Sequence, residues 1–397
     1  MIPKTVSGRP VTNRGVHLQP SGQHTGWMKR ADYWLDLLVS MNMSWVTVLT
    51  DSDAFYTSGA AKALLDAGII PIVRFAHTFP RPWTHAARTE EKPSAVEQLV
   101  NLYAKYDAPC IVQFANEPFD SREWVKGEVP PYEEAWSLIA QGWEQAARAI
   151  VEKGAYAGFP DGPCYAENPF MRIEPTEDLW YQKKAVYLGH FYGKGRPLDY
   201  PYDDVSQNGT PLTMEEYREA LDDYADDPAW NEGEHVLAKM NAQRRAWAWP
   251  GKTAADDDTC FSGWHMVAYW SWKAFGFTVP MAMTEGGWTP RDRAGSGGDT
   301  TDIRWPMTTP RKVAENTVTM FKENTPMFAL TPWLLADQDM DASGWPDDCW
   351  VGYAFSDRYG REKPVVRALQ QTPPQGRTLA QVMRELGELV GELKQSL

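Results

Sequence analysis

The chain has 397 residues, 43% of them hydrophobic, and carries a formal net charge of -14 at pH 7. That charge repels nucleic acid and anionic membrane surfaces, so neither is an expected partner, whereas a neutral polysaccharide is indifferent to it. No apolar run approaches the roughly 18 residues of a membrane-spanning helix. Strand-like and helix-like segments then alternate along the chain. Residues 14–18 form a short first strand, and 27–41 carry Tyr33, Leu37, Leu38 and Met41 at helical spacing. Residues 44–50 are a β-branched second strand, 60–67 a helix stopped by Gly68, 69–75 the third strand and 95–106 its helix. The fourth strand is 110–115, followed by a helix over 132–152 that ends near Gly154. The fifth strand is 155–159 with a helix near 176–183, the sixth 185–192, the seventh 279–284, and the eighth 327–334, broken by Pro332. Eight strands in this order predict a (β/α)8 TIM barrel in the α/β class. An open doubly wound sheet has about five or six strands and a Gly-rich first turn, and no GxGxxG or GxxxxGK[ST] follows a strand here.

The expected organisation is a barrel over residues 1–370 with a long insertion at 193–258, then a linker and amphipathic helix over 371–397. The insertion leaves the sixth strand on the face where barrel enzymes carry their active residues, and holds predicted helices at 214–224 and 234–247. In the tail, Leu379, Val382, Leu386, Leu389 and Leu393 repeat at spacings of three and four. That stripe packs on its own barrel or makes an oligomer contact, so a monomer or weak oligomer is expected. Residues 1–20 contain no apolar stretch like that of a secretory signal, which leaves a soluble protein, secreted and mature or cytoplasmic.

Cys110, Cys164, Cys260 and Cys349 are far apart and lack zinc spacing, and no metal or organic cofactor is expected. The acidic loop 337–348 spaces Asp337, Asp339, Asp341 and Asp348 like a calcium loop, but Ala342 stands where that loop needs glycine. A solvated loop is the better reading, with calcium left open. Residues 291–299 are Gly-rich and expected beside the cleft. Nineteen tryptophans are unusual for this length, and Trp83, Trp124, Trp288, Trp305, Trp345 and Trp350 fall in predicted loops. Indole faces stack on the C–H faces of sugar rings, so loop tryptophans favour a carbohydrate cleft.

Two glutamates carry the chemistry. Glu117 ends the fourth strand in Asn116-Glu117-Pro118, and Glu285 ends the seventh in Thr284-Glu285-Gly286-Gly287. Barrel enzymes place reactive groups at the C-terminal ends of strands, so both carboxylates belong on one rim. Two facing carboxylates are what cleavage of a glycosidic bond requires.

Asn116-Glu117-Pro118 after an apolar strand resembles the "NEP" signature of the clan A glycoside hydrolases, and Glu285 sits where that clan carries its nucleophile. Gly189-His190-Phe191-Tyr192-Gly193 is similar to the His-x-Tyr of the family 5 cellulase and mannanase group, and Trp333 resembles the Trp that floors the sugar site. The resemblance implies Glu117 as acid/base, Glu285 as nucleophile, Asn116 on the 2-hydroxyl and Tyr192 holding Glu285. His190 and His77 would bind sugar hydroxyls, Trp333 would stack under the ring, and Arg74 would supply a positive charge; Trp288, from its loop position alone, is a further stacking candidate. Family 5 takes that charge from the second strand, which has no Arg here. The implied activity is retaining hydrolysis of a β-glucan or β-mannan, endo-acting. The alternatives are an exo-acting β-glycosidase and an inactive carbohydrate-binding barrel.

Overall fold

The computed structural model of the chain describes residues 2–18, 31–50, 59–83, 94–160, 168–220, 233–257, 260–288, 302–306, 308–323, 325–335, 355–356 and 361–374. The acidic loop 337–348, the loop 291–299, the leucine stripe beyond 375, Trp345, Trp350, Cys164 and Cys349 lie outside the described residues.

A hairpin of β1 (Thr5–Val6) and β2 (Arg9–Pro10) precedes a seven-stranded parallel sheet in sequence order. Its strands are β3 (Gly15–His17), β4 (Trp45–Thr50), β5 (Ile70–Phe75), β6 (Ile111–Gln113), β7 (Tyr156–Pro160), β8 (Ala185–Tyr192) and β9 (Met281–Gly287). These are the first seven predicted strands, and they are buried on both faces, as parallel strands covered by helices must be. The predicted eighth strand is corrected. Between β9 and β3 the segment 327–335 makes single parallel bridges from Leu330 to Met283 and to Arg14. Its backbone bonds run alternately to the two neighbours: Phe328 N and Thr331 N donate to Met281 O and Met283 O, and Leu330 N donates to Asn13 O at 2.8 Å. Pro332 has no N–H to give, so the ladder stops being continuous there while its carbonyl still accepts from His17 N at 2.9 Å. The barrel is therefore nearly closed, with an irregular eighth stave.

The described helices are α1 (Ala31–Ser40), α2 (Ala60–Asp66), α3 (Ala95–Ala104), α4 (Tyr132–Glu152), α5 (Glu177–Tyr181), α6 (Asp204–Asn208), α7 (Met214–Ala220), α8 (Gly233–Ala246), α9 (Trp264–Phe275), α10 (Pro310–Lys322) and α11 (Pro364–Gln371). Their starts follow ordinary capping chemistry. Ser94 accepts from Glu97 N to open α3, and Thr309 with Pro310 at the first helical position opens α10. In α4, Trp136, Ile139, Trp143, Ala146, Ala147 and Ile150 form the buried face against the barrel. None of the helices among the described residues is long and apolar enough to cross a membrane.

The insertion contributes α6, α7 and α8 and is rooted at the end of β8. Arg196 pairs with Asp257 and with Asp302, both at 3.3 Å, and Lys252 pairs with Asp257 at 3.2 Å. The Arg196–Asp302 pair ties the insertion to the segment that follows β9, and the two pairs with Asp257 brace the insertion internally. Cys110 and Cys260 are buried unpaired thiols, and burial pushes the Cys260 thiol up to about 12.

Candidate active site

Glu285 reaches the barrel mouth through an irregularity in β9. Gly189 of β8 pairs with Met283, but His190 pairs with Glu285, so Thr284 is skipped. One extra residue flips the faces of all that follow it, and this bulge puts the Glu285 carboxylate beside the His190 ring. Gly286 (φ 149) and Gly287 (φ 99) follow in backbone regions that side chains avoid. A Cβ on Gly286 would collide with the Phe191 carbonyl. The Glu-Gly-Gly run is thus a steric requirement for presenting the acid.

Both oxygens of Glu285 are held. Oε1 accepts from Arg74 Nη1 at 2.5 Å, and Oε2 accepts from the Tyr192 hydroxyl at 2.8 Å. Arg74, on β5, is 1% exposed. Its guanidinium also donates to Asn116 Oδ1 and lies 3.2 Å from His190 Nε2. Arginine has no acceptor, so Nε2 must accept and the ring proton sits on Nδ1. Nδ1 then donates to Glu117 Oε1 at 2.9 Å. His190 therefore stands between the two carboxylates, and one oxygen of Glu117, one of Glu285 and a His190 nitrogen all lie within 4.8 Å of one another.

The two acids differ in setting. The Glu285 side chain is 7% exposed and that of Glu117 30%. Burial pushes the Glu285 carboxyl upward, but His190, the Arg74 charge and hydrogen bond, and His17, whose ring gains charge only as pH falls to about 3, outweigh it and hold the group at about 2. Glu285 is ionised at neutral pH. Glu117 is the more exposed of the two, with Arg122 Nη2 3.4 Å from its Oε2, while Arg122 chiefly grips Asp120.

Glu117, His190 and Glu285 could each present one donor atom to a cation. Arg74 already covers Glu285 Oε1 and His190 Nε2 with positive charge, so a metal ion there would meet repulsion.

The remaining expected residues fall as follows. His77 lies beyond the end of β5, half-buried against Phe79 and Phe114 at ring distances of 4.9 and 5.3 Å. Trp333 lies at the mouth, its backbone N–H donating to Gly286 O at 3.0 Å and its ring 4.5 Å from that of His17. Trp288 is not an open stacking platform. It is 1% exposed, packed over Gly193, and its indole donates to Arg196 O at 2.8 Å. Trp83 and Trp124 are likewise buried, and Trp124 stacks on Phe79 at 5.1 Å and donates to Pro118 O. Loop position in the sequence does not imply exposure, because these indoles fasten the βα loops to one another.

Two participants escape the sequence reading. His17, at the end of β3, is fully buried, and desolvation, partly offset by Glu285, lowers it to about 3, so it is neutral. Its Nδ1 bonds the Leu18 carbonyl. The strand-end rule that finds Glu117 and Glu285 also finds it. Glu123, six residues after Glu117, accepts from Asn116 Nδ2 at 2.9 Å; its loop position carries no periodic signal.

No protein-family model matches the chain, and no curated protein matches it in sequence. Solved structures do. The chain is similar to a monomeric beta-xylosidase from Caulobacter crescentus CB15, with 16% identity over 92% of this chain and 69% of that one, at TM-score 0.44. It is similar to the GH39 enzyme from Xanthomonas axonopodis pv. citri, with 14% identity over 93% and 69%, at TM-score 0.46. It is also similar to Bacteroides uniformis beta-glucuronidase 2, with 10% identity over 91% of this chain but 35% of that protein, at TM-score 0.50. At such identities the likeness is one of fold, and the fold is the parallel α/β barrel described above.

Proposed function

We propose that this barrel is a retaining glycoside hydrolase that cleaves β-glycosidic bonds by double displacement, akin to clan A and within it to the family 5 cellulase and mannanase group. The observation that carries the reading is the facing of Glu117 and Glu285 across His190, with an oxygen of each within 4.8 Å of the other. Retaining enzymes hold their carboxyl groups about 5–5.5 Å apart, and inverting ones leave room for a water at about 6.5–9.5 Å.

Glu285, ionised and gripped by Arg74 and Tyr192, attacks the anomeric carbon. As the new C–O bond forms, the glycosidic C–O bond breaks, and protonated Glu117 gives its proton to the departing oxygen. Glu117, now a carboxylate, then takes a proton from water. The water oxygen attacks the anomeric carbon, the ester to Glu285 breaks, and the sugar leaves with its configuration retained. Asn116, between Arg74 and Glu123, has a second Nδ2 proton for the 2-hydroxyl, and Trp333 supplies an apolar floor. The positive charge that family 5 draws from its second strand comes here from the third.

The reading is tested by following product anomers by proton NMR in the first minutes of hydrolysis. The β anomer is expected first. Initial release of the α anomer would mean inversion and a different assignment for Glu285.

We infer further that the substrate is a β-glucan or β-mannan chain cut internally. Trp247 and Trp249, in the insertion that leaves the end of β8, are 52% and 54% exposed, whereas the loop tryptophans Trp83, Trp124 and Trp288 are buried. The guanidinium of Arg304 lies 5.8 Å from the Trp247 ring centroid, and Arg304 pairs with Asp302, the partner of Arg196. Trp247→Ala with Trp249→Ala is expected to lower kcat/KM on the polymer about 5- to 150-fold, from stacking worth roughly 0.5–1.5 kcal/mol per ring. An aryl glycoside should be cleaved as before. Equal loss on both substrates would refute the polymer platform.

A further inference from the structure

We propose that Glu123 is a positioning residue for the reacting pair, a role that rests on the glycosidase reading of the site. Four side chains form a continuous hydrogen-bonded row: Glu123, Asn116, Arg74 and Glu285. The order of donors and acceptors leaves one arrangement. Arg74 can only donate, so Asn116 must turn Oδ1 to it, which turns Nδ2 outward. Glu123 Oε1 receives that Nδ2 at 2.9 Å. With both ends of its amide engaged, Asn116 can neither flip nor swing, and its second Nδ2 proton keeps a fixed direction.

Glu123 is itself held by the backbone on both sides. Its carbonyl accepts from Phe79 N at 2.8 Å, and its N–H donates to Asp120 O at 3.0 Å. Next to it, Trp124 bridges and stacks on Phe79, and Val125 N donates to Phe79 O at 2.9 Å. The loop after β5 and the loop after β6 are thereby fastened together at the point where Glu123 projects inward. Such a carboxylate is costly to keep, since burial pushes it upward against the Asn116 hydrogen bond and the Arg74 charge. Packing alone does not account for a charged group in this position; orientation of Asn116 does. Glu123 does not touch the reacting atoms, and its effect passes through Asn116 and Arg74.

The test compares Glu123→Ala and Glu123→Gln in the full chain, by crystal structure and by kinetics on the best substrate that the wild type hydrolyses. Gln keeps the acceptor oxygen and should keep both the Asn116 rotamer and kcat within about threefold. Ala should release Asn116 from Arg74 and lower kcat about 10- to 100-fold with KM little changed, as misplacement of a reacting array does. An Asn116 that stays in place in the Ala variant, unchanged kcat, or equal losses in both variants would overturn the proposal. If the wild type cleaves no glycoside, the glycosidase reading fails on its own, and the Asn116 rotamer in the Ala variant still decides whether Glu123 fixes that side chain.

Discussion

Glu285→Gln should abolish turnover on every glycoside, whereas Glu117→Gln should spare those with an activated leaving group. The difference follows from the two settings. Glu285 is buried and held at about 2 by neighbouring positive charge, so at neutral pH it has no proton to give and is fit only to attack or to stabilise charge. Glu117 is more exposed and accepts from His190 Nδ1. An acid catalyst contributes about 10²–10⁴-fold when the departing oxygen needs a proton. On an alkyl glycoside or polysaccharide, Glu117→Gln should therefore lose roughly that factor. On a dinitrophenyl glycoside, which leaves as a stable anion, bond cleavage should be nearly as fast as in wild type, followed by slow release of the covalent intermediate. Glu285→Gln removes the attacking oxygen and should be at least as deficient on both. The check is kcat/KM across aryl glycosides of graded leaving-group acidity for the three proteins. If the leaving-group dependence appeared in Glu285→Gln, the two roles would be exchanged.

Arg74→Ala is expected to damage stability and pH response together. It leaves the Glu285 carboxylate buried with the Tyr192 hydroxyl but without its cation, and breaking a buried ion pair costs about 3–5 kcal/mol. Because the Glu285 carboxyl is lowered in the folded state, it contributes stability that is complete above its ordinary value near 4.5 and is lost as pH falls toward about 2. Without Arg74 the upward push of burial is less opposed, so Glu285 titrates at higher pH. Thermal unfolding of the variant should then lose its wild-type decline between those values, and the acid limb of kcat/KM should move to higher pH. Arg74→Lys should fall between, since one ammonium cannot serve Asn116, Glu285 and His190 at once. An unchanged melting temperature and acid limb in Arg74→Ala would show that Glu285 does not depend on this charge.

Much of this arrangement is legible in the chain. Apolar runs ending at Asn116-Glu117-Pro118 and at Glu285-Gly286-Gly287 identify strand ends, and parallel strands place those ends on one rim. Arg74, His190 and Tyr192 come from the resemblance rather than from the strand-end rule, and they do meet Glu285 or its neighbours. The Thr284 bulge is not legible, because it depends on how β9 registers against β8 rather than on either strand alone. The break of the eighth strand at Pro332 is legible, but not that the segment before it pairs only through single bridges at Leu330. Trp83, Trp124 and Trp288 read as loop platforms because a sequence shows that a residue is in a loop and not which loop it packs under. Glu123 escapes for a related reason: its partner Asn116 is close only after a short 3-10 turn, Ser121–Glu123, folds the chain back.

The most direct test of the account is hydrolysis of β-glucans, mannans and xylans, with their matching aryl β-glycosides, by the wild type beside Glu285→Gln. The account predicts cleavage of at least one of these β-linked substrates by the wild type and a loss of several orders of magnitude in the variant. Undiminished cleavage by Glu285→Gln, or a wild type inert toward every β-linked substrate, would contradict it.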